Sequence, residues 1–223
     1  MKEEERIRLE QVLPGEIEAK SFEIIGKELE EMGIVLNEEE RPVVMRAIHA
    51  TADFDYARNL VFSPDAVKAA LAALKKGCHI VTDTRMAWSG INKGKLAQLG
   101  GEAFTFMSDE DVAQEARRRG STRAAASMEK AAALYGAGGE REQIPCIFAV
   151  GNAPTALIRL YELAQEGILR PALVVGMPVG FVNVVQSKEL ILGLEEIPFI
   201  VARGRKGGSN VAAAVCNALL YQA

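Results

Sequence analysis

Five short runs of apolar, largely β-branched residues constrain this chain most strongly; they occupy 78–82, 103–107, 144–150, 172–175 and 197–202. Each is followed by glycine or small polar residues and then by a stretch with helical spacing of its apolar positions. Strands that read as continuous apolar runs are buried on both faces. Such strands alternating with helices predict an α/β fold of three layers, α/β/α, with a doubly wound, five-stranded parallel sheet and right-handed crossovers. In folds of this class ligands collect beyond the carboxyl ends of the strands. Polar and glycine-rich residues gather at those ends here: Thr82-Asp83-Thr84, Gly151-Asn152, 176–181, and Arg203 to Ser209.

The remaining segments frame this core. Residues 1–13 read as a charged, loosely ordered lead-in. A helix that follows Pro14-Gly15 and runs to about Met32 carries Ile17, Ile24, Ile25, Leu29 and Met32 at near-helical spacing and stops at Gly33. Asn37 and Glu40 read as a capping pair for a second helix over 38–50, with Pro42 pulling its start toward Arg41. Further helices are expected from 65 to 77, after a cap at Ser108, over 122–135, through 166, from Ser187 to 196, and over 210–221. No repeat or linker interrupts the chain, so residues 1–223 read as one domain with the N-terminal helices packed on the sheet.

Composition narrows the function. The net charge of −4 gives no basic field for nucleic acid. No apolar run reaches the ~18 residues of a membrane span, and the opening Lys2-Glu3-Glu4-Glu5-Arg6 is too charged for a signal peptide. Cys78, Cys146 and Cys216 lie in apolar runs without metal-ligand spacing and read as buried thiols of a reducing compartment. A cytoplasmic protein is expected.

Several residues could carry chemistry. Gly204-Arg205-Lys206-Gly207-Gly208-Ser209 lies between an apolar strand and a helix, where free amides, the helix dipole and two cations suit an anion. It lacks the Walker spacing, and a tight turn with solvated cations is the plain alternative. Arg46, His49 and Asp53 share one helical stripe, apart from the apolar stripe of Val43, Val44, Ala47 and Ile48. His49, near the helix end where the dipole favours a cation, suits a general acid; a surface or capping histidine is the alternative. His79, inside a strand, reads as structural. Arg123, beside Ser121 and Thr122 at a helix start, is either an anion contact or a solvated charge. Ser21 reads as a surface hydroxyl on the first helix. No residues fall at metal-ligand spacing, and no Gly-x-Ser-x-Gly elbow exists.

Taken together, several stretches resemble the family of precorrin-8X and cobalt-precorrin-8 methylmutases of cobalamin biosynthesis. They are Ser21-Phe22-Glu23-Ile24-Ile25, the run from Arg46 to Phe54 with its Arg-x-x-His-Ala-Thr motif, and Thr82-Asp83-Thr84-Arg85-Met86. Thr122-Arg123, Gly151-Asn152-Ala153-Pro154-Thr155-Ala156-Leu157, Pro178-Val179-Gly180-Phe181-Val182, Ser187-Lys188-Glu189, Gly204 to Ser209, and Asn217-Ala218-Leu219 complete the set. They keep the family's order over nearly the whole chain. The resemblance implies a flavodoxin-like isomerase that moves a methyl group from C11 to C12 of a corrinoid, as a homodimer with active sites near the subunit interface. It implies no cofactor; cobalt, where present, belongs to the substrate. By the same resemblance His49 is the acid, and Ser21, Arg46, Thr84, Asn92, Arg123 and Lys206 bind the substrate. Asn92 stands where relatives can carry threonine, and Asn183 where they commonly have a small residue. His79 matches no functional position of the family.

Two other readings stand beside this one. A corrinoid carrier would need the same carboxylate-binding loops but not His49. A nucleotide-binding α/β protein would share the fold, but the Gly-x-Gly-x-x-Gly fingerprint after the first strand is missing.

Overall fold

The computed structural model describes residues 11–223. The described residues fall into two compact units, the first ending at Val35 and the second Leu36–Ala223. In the first, a 3-10 turn at Pro14–Glu16 leads into α1 (Ile17–Glu31), and Gly33 follows it in the left-handed region, φ 67°. Most of the expected lead-in lies outside the described residues; residues 11–13 form neither helix nor strand.

The second unit runs α2 (Arg41–Thr51), α3 (Tyr56–Asn59), β1 (Leu60–Phe62), α4 (Ala66–Leu74), β2 (His79–Thr82), α5 (Arg85–Gly90), α6 (Lys93–Gln98) and β3 (Ala103–Thr105). It continues with α7 (Glu110–Arg119), α8 (Arg123–Tyr135), β4 (Cys146–Val150), α9 (Pro154–Gln165), β5 (Leu173–Gly176), α10 (Val184–Leu192), β6 (Phe199–Ala202) and α11 (Ser209–Gln222). The strands form one sheet in the order β1-β6-β5-β4-β2-β3. From β2 to β6 all pairs are parallel. Counted along the chain, these five take the 2-1-3-4-5 order of flavodoxin-like folds.

The expectation of five parallel strands needs one correction, because the sheet has a sixth, antiparallel edge strand. β1 pairs with β6 through Leu60↔Ala202, Val61↔Val201 and Phe62↔Ile200. Arg203 N–H to Asn59 O (2.7 Å) extends the ladder at one end and Ser63 N–H to Phe199 O (3.0 Å) at the other.

Helices α7 to α10 cover one face, and α2, α4, α5, α6 and α11 form the layer on the other. Successive strand residues point to opposite faces. Val81, Phe148, Val150, Val174 and Val201 join the core under α7–α10, with Met128, Leu157, Leu160 and Ile191. Their neighbours Ile80, Ile147, Ala149, Val175 and Ile200 are equally buried. Burial on both faces is why these strands carry no alternation.

Element boundaries follow local chemistry. α2 starts at Arg41 with Pro42 in its first turn. Asn37 and Glu40 form a turn rather than a capping box: Asn37 O accepts from the N–H of Glu40 and Arg41, and Asn37 Oδ1 accepts from Glu39 N–H. Asp109, not Ser108, precedes α7. α10 begins three residues before Ser187, because Asn183 takes the left-handed conformation, φ 57°, and turns the chain into the helix there. Ser187 lies inside, its hydroxyl donating to Val184 O at 2.9 Å.

Candidate active site

The parallel sheet reverses its winding between β2 and β4, which opens a crevice at their carboxyl ends. Asp83, fully buried, fills it. Its Oδ1 accepts from Gly151 N–H (2.7 Å), and its Oδ2 from Asn152 (2.9 Å) and Ala153 (2.7 Å) N–H. Burial raises its pKa, and the three amides pull the other way. These amides lead into α9 at the switch point, and free amides at a helix start suit an anion. An internal carboxylate already uses them, which argues against the nucleotide reading.

Thr84, next along, caps α5 by accepting from Ala87 N–H (3.0 Å) and shares a hydrogen bond with Ser209 Oγ at 2.8 Å. Gly151 lies so close to Ser209 that a Cβ would overlap its backbone. The β2, β4 and β6 loops therefore meet at the first turn of α11.

The 204–209 loop is built from both sides. A Cβ on Gly207 would collide with the Met177 carbonyl, and Gly208, at φ 137°, donates its N–H to that oxygen at 2.8 Å. Three consecutive carbonyls turn inward. Lys188 Nζ donates to Gly204 O (2.9 Å) and Lys206 O (2.7 Å), and Gly180 N–H donates to Arg205 O (3.3 Å). Among the described residues no group accepts from the N–H of residues 204–207 or 209. Lys188 is fully buried, and burial pushes its pKa down to about 8. Sequence reasoning names no role for it. The available signal is its place on the buried stripe of α10, Val184-Lys188-Ile191, where a charge costs desolvation unless it has partners.

Lys206 points the other way. Its ammonium lies 2.6 Å from Asp53 Oδ2 and 2.6 Å from Asp55 Oδ2, just beyond α2. The pairing raises the Lys206 pKa and holds the Asp53 carboxyl below its ordinary range. α2 ends where Ala52 turns left-handed, φ 53°, and His49 stands exposed in its last turn. The sequence places His49 at this helix end, as found, and its apolar stripe Val43, Val44, Ala47 and Ile48 is buried.

The other candidates fall into separate places. Arg46 lies over the Tyr221 ring, 5.1 Å from its centroid, in the last turn of α11. Asn92 meets the same residue: its Nδ2 is 3.3 Å from Tyr221 Oη, its N–H donates to Asn217 Oδ1 (2.8 Å), and its Oδ1 caps α6. Thr84 and Lys206 thus gather at the start of α11, and Arg46 and Asn92 at its end. Arg123 opens α8, whose cap Thr122 bonds Thr155 Oγ1 at 2.7 Å beside the β4 loop. Ser21 belongs to the first unit, where its hydroxyl donates to Ile17 O at 2.8 Å. His79 sits at the opposite end of β2, its Nδ1 2.8 Å from Tyr135 Oη. Phe181 and Val182, on the β5 loop, are 81% and 79% exposed, and the Arg205 guanidinium lies over the Phe181 ring at 5.3 Å. Among the described residues no helix is long and apolar enough to cross a membrane, and no three His, Cys, Asp or Glu side chains converge as metal ligands.

The profile of the precorrin-8X methylmutases matches residues 16–222. The chain belongs to the precorrin-8X methylmutase family. Among methylmutases, the cobalt-precorrin-8 methylmutase of Priestia megaterium is 44% identical over 208 residues, covering 93% of this chain and 88% of that one. The cobalt-precorrin-8 methylmutase of Leptospira interrogans is 46% identical over 209 residues, covering 92% and 91%. A crystal structure of a precorrin-8x methyl mutase from Thermus thermophilus matches with a TM-score of 0.79 at 39% identity, over 92% of this chain and 96% of that one. The flavodoxin-like order is thus accompanied by similarity along the chain to a methylmutase structure.

Proposed function

We propose that this chain catalyses the methylmutase reaction of its family, with His49 as general acid. The substrate is precorrin-8, and its cobalt-containing form fits the names of the Priestia and Leptospira relatives. In the cobalt-free ring the imidazolium gives its proton to a ring nitrogen near C11, which makes the conjugated system electron-poor; in the cobalt form that nitrogen's lone pair is bound to the metal, whose charge supplies the electron withdrawal. The bond from C11 to the methyl carbon breaks as the bond to C12 forms, and in the cobalt-free ring the proton leaves the nitrogen afterwards. Nothing is added or lost overall, so no external cofactor is called for; cobalt, where present, is carried in the ring.

The observation that carries this reading is the family match over nearly the whole chain, with His49 exposed at the end of a helix whose following segment, Asp53 and Asp55, pairs with Lys206 of the 204–209 loop. The substrate is a macrocycle fringed with carboxylates, so a chain of net charge −4 has to concentrate its donors locally. Amides of the 204–209 loop, Arg205 and Arg123 supply them, while Phe181 and Val182 offer an apolar surface to the ring. Ser21, Arg46, Thr84, Asn92 and Lys206 are the further substrate contacts, and the active enzyme is a homodimer.

Incubation of the purified protein with cobalt-containing and cobalt-free precorrin-8, side by side, tests the reading. It expects a product of unchanged mass and altered absorbance, formed with the higher kcat/KM from the cobalt form. Binding without conversion of either substrate would leave a carrier instead. Light scattering at twice the chain mass supports the dimer, and a monomer that turns over substrate rules it out as a requirement.

A further inference from the structure

We propose that Lys188 is the positioning residue that shapes the 204–209 loop into a carboxylate cradle and supplies the charge behind it. This rests on the reading that the loop binds a substrate carboxylate.

Two features of Lys188 carry the argument. The first is geometric. Its ammonium holds the carbonyls of Gly204 and Lys206, and Gly180 N–H holds the one between them. A peptide whose carbonyl is fixed inward turns its N–H away from that side, because the two groups of a planar trans peptide point in opposite directions. Lys188 thus orients peptide donors of the loop away from the protein interior. Gly207 and Gly208 let the chain lie against Met177 while it does so.

The second feature is electrostatic. Lys188 is fully buried, yet no carboxylate among the described residues pairs with it; Glu189, its neighbour, is bridged by Arg203 on the outside of the helix. A buried cation solvated only by neutral carbonyls carries a desolvation penalty with no ion pair to offset it. An anion seated on the outer face of the loop would supply the missing partner. Its attraction to Lys188 would be less screened than that of a surface pair, since Lys188 is shut off from solvent. Lys206 cannot serve in the same way while it is held by Asp53 and Asp55.

The test compares Lys188→Met, Lys188→Gln and Lys188→Arg with wild type, each checked for folding by circular dichroism. Lys188→Met keeps the length and removes charge and donors. Its KM and its Kd for the corrinoid product should rise about tenfold or more, the worth of a charged hydrogen bond. Its kcat should stay near wild type, because the acid at His49 is untouched. Lys188→Arg should recover part of the affinity and Lys188→Gln little, since it restores a donor without charge. If Lys188→Met does not fold, the Gln and Arg pair makes the same comparison of charge. A folded Lys188→Met with wild-type KM and Kd overturns the proposal, as does a loss confined to kcat. Failure of wild type to convert precorrin-8 at all would count against the proposed function instead.

Discussion

Lys206 Nζ lies 2.6 Å from Asp53 Oδ2, and this ion pair ties the glycine loop after β6 to the segment that follows the His49 helix. Asp55 joins it at the same distance. The end of the helix that carries His49 and the glycine loop are thereby tied together. All three side chains are partly exposed, so the pairing adds little to global stability. Its effect should appear in substrate binding. Lys206→Met is expected to raise KM while the thermal midpoint hardly moves. The double variant Asp53→Asn with Asp55→Asn separates two roles for Lys206. If the lysine acts as a latch, the double variant weakens binding as Lys206→Met does. If it acts as a substrate clamp, releasing it leaves KM unchanged or lower.

Asp83 should be costly to alter. Asp83→Asn keeps the shape but leaves a donor facing backbone N–H groups, and is expected to lower stability by about 1–3 kcal/mol in urea denaturation. Asp83→Gly vacates a site with three inward amides. Formate or phosphate should then raise the thermal midpoint of that variant more than that of wild type. An Asp83→Asn protein as stable as wild type would remove the carboxylate from this role.

His79 gives stability a pH dependence. Burial first, and the Arg141 charge second, lower its pKa below the ordinary 6.5. The unfolded chain therefore takes up this proton more readily than the folded one. The contribution is fully present above pH 6.5 and is lost as pH falls through the lowered folded value. Unfolding free energies from about pH 7 down to about pH 5 should fall more steeply for wild type than for His79→Phe. Equal slopes would count against it. The carboxylates held low by cations, such as Asp53, Glu189 and Glu115 at about 2, lose their contributions at lower pH.

The three thiols should be inert in the folded protein. Cys78, Cys146 and Cys216 are buried, and burial raises all their pKa values, to about 12 for Cys78 and Cys216. A thiol-reactive dye should label none of them in buffer and all of them in denaturant. Fast labelling of the native protein would show an opening that this packing does not provide.

How far the fold is legible in the sequence depends on what kind of signal each element leaves. β2, β4, β5 and β6 show because burial on both faces makes them continuous apolar runs, and the edge strand β3 shows because it fits the alternation of strand and helix. β1 does not, because it pairs antiparallel, outside that alternation, and is defined by its partner β6. The short helices α3, α5 and α6, of four, six and six residues, have too few turns for a stripe. His49 is legible because its helix separates an apolar stripe from a polar one. Asp83 and Lys188 are harder to read. Their partners are backbone groups 68–70 and 16–18 residues away, and the sequence says nothing of backbone direction at that distance. The family resemblance supplies roles for Arg46 and Asn92, but their meeting at Tyr221 comes only from the packing of α2 and α6 along α11.

The central claim is that His49 supplies the proton for the methyl shift. Turnover of precorrin-8 by His49→Ala, measured beside its binding of the corrinoid product, tests it most directly. The account predicts a fall in kcat of about 10² to 10⁴, the usual worth of a general acid, with product affinity retained. Turnover at the wild-type rate would contradict it.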